Sequence, residues 1–240
     1  MTVKIRLFVD HSLGEAQLVQ LDRDQANYLF AVMRLSIGDA ILVFNGKDGE
    51  WQAHITEGNK KSATLKCTLK TKSLQNPPDV WLLFAPIKKA RTDFIVEKAT
   101  ELGAAEILPI STDFTNSERI RQDRLQAHAV EATEQCGGTY VPNVHDLQKL
   151  DNVLDAWPGD RHLLYCDEGL VGAASTFNSL PTGKWAILIG PEGGFSQRER
   201  SKITMMQQSH PVSLGPRILR ADTAAVAALS LWQEHLGDWS

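Results

Sequence analysis

Two glycine-bearing stretches in the C-terminal half have the residue types of a ligand site. The first is Gly190-Pro191-Glu192-Gly193-Gly194-Phe195. Three glycines and a proline in five positions cost backbone entropy, so this loop needs unusual φ/ψ angles or close backbone contact with a ligand. A tight strand-to-helix turn is the plainer alternative. The loop is not a P-loop, because no Gly-Lys-Ser/Thr follows, and its glycines are not spaced Gly-x-Gly-x-x-Gly. The second stretch is Leu214-Gly215-Pro216-Arg217-Ile218-Leu219-Arg220-Ala221-Asp222-Thr223, which adds two arginines. In a parallel sheet both loops emerge at the carboxyl ends of strands, where open α/β sheets bind ligands. Together they describe a small-molecule pocket beside an anion.

Cations gather elsewhere. Phe84-Ala85-Pro86-Ile87-Lys88-Lys89-Ala90-Arg91 places three around one strand-helix turn. Positive charge at a helix N-terminus opposes the dipole, which favours an anion contact over a merely solvated helix start. Ser117-Glu118-Arg119-Ile120-Arg121 with Arg124 forms a second cluster, with Glu118 and Asp123 as internal counter-charges. His128 and His162 are expected to be core or surface histidines rather than ligands.

The elements that must hold these residues fall into two parts. Ile5–Val9, Ala40–Phe44, Trp51–Ile55 and Ala63–Leu69 are short alternating runs. Ile37-Gly38-Asp39 and Asn45-Gly46-Lys47-Asp48-Gly49 punctuate them. This predicts a small antiparallel barrel or sandwich with one helix near Asp24–Met33. Residues 73–78, Ser73-Leu74-Gln75-Asn76-Pro77-Pro78, read as a linker. The expected domains are therefore 1–72 and 79–240.

Past the linker the rhythm changes. Val80–Ala85 is a continuous apolar run of the kind buried on both faces of a parallel sheet. A helix over Arg91–Leu102, a strand at Ile107–Ile110 and a helix over Ser117–Cys136 follow. Strands at His162–Cys166 and Trp185–Ile189 come next, then a helix opened by the capping box Ser196-Gln197-Arg198-Glu199. A short strand at Val212–Leu214 and a helix over Asp222–His235 end the chain. The last helix is small and apolar almost all round, which predicts burial on more than one side. Strand-helix alternation predicts an α/β sheet with helices on both faces.

Composition limits the rest. The chain has 240 residues, 42% hydrophobic and 22% charged, which are globular proportions. No run approaches the roughly 18 apolar residues of a membrane helix, and no signal-peptide core follows Met1-Thr2-Val3-Lys4-Ile5-Arg6. The three cysteines are dispersed, and the seven histidines form no metal-binding pair pattern. A cytoplasmic protein without metal is the expectation. The formal charge of −4 argues against non-specific nucleic-acid binding. Residues 1–72, however, carry 10 Lys and Arg against 8 Asp and Glu, whereas the remainder carries 15 against 21. Contact with a polyanion has to be local.

Four motifs in order carry a resemblance: Val96-Glu97-Lys98-Ala99-Thr100-Glu101-Leu102-Gly103, Glu131-Ala132-Thr133-Glu134-Gln135-Cys136, Ile189–Phe195 and Leu214–Arg220. They resemble the bacterial ribosomal RNA small-subunit methyltransferase E family, of the SPOUT class, over nearly the whole chain. Tyr28-Leu29-Phe30-Ala31-Val32-Met33-Arg34 with Gly38-Asp39 resembles that family's PUA-like RNA-binding domain. The family often has a histidine where this chain has Asn27-Tyr28.

The resemblance implies a SPOUT-type α/β domain with a parallel sheet tied in a deep trefoil knot, preceded by a PUA-like β-barrel. It implies S-adenosylmethionine (SAM) as methyl donor, N3 of a uridine in 16S rRNA of the small subunit as acceptor, and a homodimer built on the knot helices. Leu188, Ile189, Gly190, Pro191, Glu192, Gly193, Leu214, Gly215, Ile218 and Leu219 would hold the cofactor, with Gly193 and Gly215 allowing close backbone approach. N3 methylation requires loss of the imide proton, hence a base or a positive group to stabilise the anion. Arg220, Glu192 and Asp222 are the candidates, Asp222 being equally placed to cap the last helix. Arg34, Lys88, Lys89, Arg91, Arg119 and Arg121 would contact RNA. A SPOUT enzyme acting on transfer RNA, and a non-catalytic RNA-binding or ribosome-assembly protein, are the alternatives.

Overall fold

Alternating strands and tight turns build the first sheet. The structure is a computed structural model that describes residues 5–116, 119–166 and 177–239. Strands β1 (Arg6–Phe8), β2 (Leu18–Leu21), β3 (Ala40–Phe44), β4 (Glu50–Asn59) and β5 (Ser62–Lys72) pair in the order β1-β3-β4-β5-β2. The β1–β3 pair is parallel, so the sheet is mixed and not wholly antiparallel as expected. Irregularities in the β4–β5 register interrupt the long hairpin, and such bulges add local bend and twist. Val19, Leu29, Ile41, Val43, Ile55 and Leu65 form the centre of its core, each at most 1% exposed.

The helix expected near Asp24–Met33 is two pieces. Helix α1 (Arg23–Asn27) starts on a capping box in which Asp22 and Gln25 satisfy each other's backbone N–H. Tyr28–Val32 then widen into a π turn. Arg34 ends it with φ at 57°, so that the Leu35 N–H reaches back to the Leu29 carbonyl. Glycine is the usual residue at such a left-handed helix end.

The second sheet is parallel throughout. Strands β6 (Val80–Phe84), β7 (Glu106–Ser111), β8 (Asn143–Val144), β10 (Arg161–Cys166), β11 (Lys184–Ile189) and β12 (Ser209–Val212) run β12-β10-β11-β6-β7-β8. The short β9 (Gln148–Lys149) pairs with β7. Its helices are α2 (Lys89–Glu101), α3 (Gln122–Cys136), α4 (Leu150–Asp155), α5 (Gln197–Met205) and α6 (Ala221–Leu236). Both faces of the central strands are buried, so β6 and β11 read as unbroken apolar runs. Parallel pairing sets Phe84 beside Ile189 and Cys166 beside Val212, which brings the carboxyl ends of β6, β11, β10 and β12 to one edge.

Several boundaries differ from expectation. Helix α3 begins at Gln122, five residues after Ser117, and Ser117 and Glu118 lie outside the described residues. The last strand is Ser209–Val212 rather than Val212–Leu214, because Ser213 and Leu214 already belong to the loop. Residues 167–176, after β10, also lie outside the described residues, and the implied knot is not traced through them.

Contacts divide the chain into two units: the chain up to Asn76 together with Thr133–Val141, and Pro77–Ala132 with Pro142 onward. The end of α3 joins the first unit through Arg6. Its guanidinium donates to the carbonyls of Thr133, Glu134 and Gly138 at 2.5–2.8 Å and to Glu50 at 2.6 Å. The Glu134 carboxylate accepts from the Phe8 N–H at 2.8 Å. A cation at a helix C-terminus satisfies carbonyls that have no partner within the helix. The Glu131–Cys136 motif therefore serves packing of the first unit through Thr133 and Glu134.

Candidate functional site

Two loops and the end of a strand, at the shared strand edge, border an open pocket of about 740 Å³, its mouth included. The floor comes from the end of β10, Tyr165 and Cys166, and the walls from the loops after β11 and β12. Ala221 and Ala224, in the first turn of α6, close one side. Burial pushes the Cys166 thiol up to about 12, so it lines the pocket as a protonated apolar group and not as a nucleophile.

The glycines have separate tasks. A Cβ on Gly190 would stand 2.7 Å from the ring of Phe195, which is 6% exposed and packs edge-on against Tyr165 at 5.4 Å. Gly194 turns at φ 68°, its N–H donating to the Pro191 carbonyl at 2.9 Å. Gly215 adopts φ 112°, with open space where a Cβ would be, so its backbone angle alone requires glycine. The Ser213 hydroxyl pins that turn, accepting from the Gly215 N–H and donating to its carbonyl, both at 3.3 Å. The α5 capping box is present as read: Ser196 accepts from the Glu199 N–H, and Glu199 accepts from the Ser196 N–H at 2.9 Å.

Of the ten expected cofactor residues, Ile189, Gly190, Pro191, Glu192, Leu214, Gly215, Ile218 and Leu219 line the pocket. Leu188 and Gly193 do not. Leu188 is fully buried in the strand core. A Cβ on Gly193 would meet Phe114 at 3.3 Å, so its close approach is to an aromatic side chain and not to the pocket. Tyr165, Cys166, Phe195, Arg200, Ser213 and Arg217 line it without having been singled out. Arg217 and Phe195 stood inside the two loops. Tyr165 and Cys166 arrive because β10 lies between β11 and β12, an order that local pattern does not encode.

The three candidate catalytic residues separate. Glu192 and Asp222 come together on Arg91, a residue expected to contact RNA. Its Nη1 is 3.7 Å from Glu192 Oε1 and its Nε 3.8 Å from Asp222 Oδ2. Arg91 Nη1 is buried and has no hydrogen-bond partner among the described residues. Asp222 does not cap α6. Arg220 is the capping residue and Asp222 Oδ1 accepts from the adjacent Thr223 N–H. Arg220 itself is exposed and outside the pocket lining.

The other cations are spread out. Lys88 caps the start of α2 and is exposed with Lys89. Arg34 and Arg119 are exposed as well. Arg121 is engaged by Asp123 at 2.6 Å, and that guanidinium holds the Asp123 carboxyl down at about 2. His128 sits beside Glu97 at 3.1 Å and Asp93 at 3.7 Å, and His162 is 3.1 Å from His210. Among the described residues, no group of three His, Cys, Asp or Glu side chains is arranged to hold a metal ion, and no helix is long and apolar enough to cross a membrane.

Residues 74–233 match the model of an RNA methyltransferase domain, and residues 21–67 that of an RNA methyltransferase PUA domain. A ribosomal RNA small subunit methyltransferase E from Synechocystis is 33% identical, the alignment covering 88% of this chain and 71% of that protein. The protein of the same name from Rickettsia conorii is 28% identical, over 94% of this chain and 93% of the relative. The crystal structure of that methyltransferase from Neisseria gonorrhoeae, bound to S-adenosyl methionine, superposes with a TM-score of 0.87 at 26% identity, covering 98% of this chain and 99% of that one. A Legionella pneumophila chain crystallised with bound SAM gives 0.89 at 28%, covering 99% and 100%.

Proposed function

The chain belongs to the ribosomal RNA small subunit methyltransferase E family, and we propose that it methylates N3 of a uridine in 16S rRNA, with SAM as donor. The observation that carries the reading is the pocket itself. Two glycine loops and the end of β10 meet at one sheet edge, with a cation and two carboxylates at the margin.

The residues present suit an adenosyl ligand. Ile189, Leu214, Ile218 and Leu219 offer apolar contact, and Gly190 and Gly215 bring backbone N–H and C=O groups to the surface. When bound, SAM supplies an electrophilic methyl group on a sulfonium sulfur. The chain has to hold the uracil in line and make its nitrogen a nucleophile. Glu192, 57% exposed at the pocket lip, accepts the N3 proton. The negative charge left on the uracil nitrogen and its carbonyl oxygens is stabilised by the Arg91 cation, whose Nη1 has no other hydrogen-bond partner among the described residues. Asp222 holds the guanidinium by its other edge.

Lys88, Lys89, Arg119, Arg121 and Arg34 are proposed to contact RNA phosphate. Small-subunit context, a cytoplasmic location and a homodimer that buries exposed residues such as Leu231 accompany this reading. Mapping of modified nucleosides in RNA from cells lacking and regaining the gene tests it. Restored 3-methyluridine in 16S rRNA supports the reading. A modified transfer RNA, or SAM binding without any methyl transfer, overturns it.

A further inference from the structure

Phe114 is a large apolar side chain left 48% exposed on a segment whose backbone is hydrogen-bonded on both sides of it. It follows β7, on the same strand edge as the pocket, and lies against Gly193, whose added Cβ would be 3.3–3.8 Å from three Phe114 side-chain atoms. The residues on either side of Gly193, Glu192 and Gly194, line the pocket. The backbone beneath the ring is fastened at several points. Asp113 N–H donates to the buried Glu199 carboxylate at 2.8 Å, and Thr112 N–H to the Thr115 hydroxyl at 2.8 Å. The Asp113 carboxylate accepts from Ser196 at 2.5 Å and Arg198 at 3.0 Å, both of which hold its pKa below the usual carboxylate range.

Along the edge from β10 to β7 the surface therefore runs from the pocket, through Arg91 with Glu192 and Asp222, to a rigidly mounted aromatic face. Sequence-tolerant recognition of unpaired RNA uses such faces, because every base has a π surface. Lys88 and Lys89, which follow β6, the strand paired with β7, are exposed and suited to the phosphates that accompany the base. We propose that Phe114 is the stacking platform for a base of the RNA substrate, the reacting uracil or its neighbour, and so positions the acceptor. The inference rests on the methyltransferase reading above.

The test uses the full chain, small ribosomal subunits from cells lacking the gene, and the variants Phe114→Ala, Phe114→Leu and Phe114→Trp. Both Phe114→Ala and Phe114→Leu should lower kcat/KM for RNA by about ten-fold or more, as loss of one stacked base does. SAM affinity and the thermal midpoint should stay at wild-type values, and Phe114→Trp should restore activity. A second readout does not need turnover: the extra fluorescence of Phe114→Trp over wild type should be quenched by an oligouridylate. Wild-type activity in Phe114→Leu, or no quenching, overturns the proposal. So does a fall in SAM affinity matching the fall in rate, which would make Phe114 a prop for the Gly193 loop. A shift of sedimentation toward monomer would assign the ring to a second copy and overturn it too. If wild-type protein fails to methylate these particles while quenching persists, the methyltransferase reading fails, and with it the positioning of an acceptor, while base stacking on Phe114 stands as RNA binding.

Discussion

Arg91 Nε stands 3.8 Å from Asp222 Oδ2, which ties the first turn of α2 to the first turn of α6 at the margin of the pocket. The acid sits where the α6 dipole favours negative charge, whereas the arginine opposes the dipole of α2. An arginine kept in that position, its buried Nη1 without a hydrogen-bond partner among the described residues, is poised for an anion. Arg91→Gln should reduce methyl transfer by about 10²-fold, the cost of removing one preorganised donor from a developing charge. SAM affinity measured by calorimetry should change less than three-fold. Equal loss in both would mean that Arg91 shapes the pocket rather than the transition state.

Gly190 and Gly193 separate the pocket from its support. Gly190→Ala forces a Cβ to within 2.7 Å of the buried Phe195 ring, against which Tyr165 is packed. Overpacking of this kind costs typically 1–3 kcal/mol, and here the displaced atoms are the pocket wall. SAM affinity should fall at least ten-fold. Gly193→Ala meets the Phe114 side chain at 3.3 Å, outside the pocket, and should leave SAM affinity within about three-fold of wild type. Calorimetry on the two folded variants decides the matter, and the reverse order of affinities would refute this division of labour.

Much of this site was legible because its signals are local. Ser196 and Glu199 announce a helix start three residues apart, and the Gly190–Gly194 cluster marks a loop that regular structure would not tolerate. Arg91 was visible as a cation where the dipole disfavours one, though not its two carboxylate neighbours. What stayed hidden depends on distant partners. Strand order placed Tyr165 beside the two loops. Arg6 drew the end of α3 into the N-terminal unit across 127 residues of sequence. The four-residue β2 begins with the exposed Leu18, which blurred its alternation.

A pH prediction follows from the far end of the second sheet. His210 lies 3.1 Å from His162 with both rings against Trp185, and burial, then the neighbouring His162, lowers its pKa. A histidine depressed in the folded state takes up its proton first in the unfolded chain. Stability is then lost as pH falls below about 6.5, the unfolded value, and the loss continues down to the lower folded pKa. The slope from one such group is at most about 1.4 kcal/mol per pH unit. Denaturant melts between pH 7 and 5 should show this loss, and His210→Phe should flatten it. An unchanged slope in the variant would assign the dependence to other groups.

Arg34 separates stability from RNA binding because its backbone and side chain pull in opposite directions. Its φ of 57° is a left-handed helix end, disfavoured for a side chain by roughly 1–2 kcal/mol, and the bond from Leu35 N–H to Leu29 depends on it. Among the described residues no ion pair or hydrogen bond to the Arg34 side chain compensates for this: the guanidinium is exposed, and Asp39 accepts from the Ser36 N–H. A strained cation in the PUA-matching segment, with no partner among the described residues, is what a phosphate-gripping residue requires. Arg34→Gly should therefore raise the thermal midpoint by a few degrees, as a gain of about 1 kcal/mol does in a domain of this size. The same variant should bind RNA more weakly, with the slope of log K against log salt reduced by about one phosphate. SAM affinity should not change, since the residue lies outside every loop of the pocket. A higher midpoint with wild-type RNA affinity and salt slope would leave Arg34 as a surface charge and move the N-terminal RNA grip to other residues.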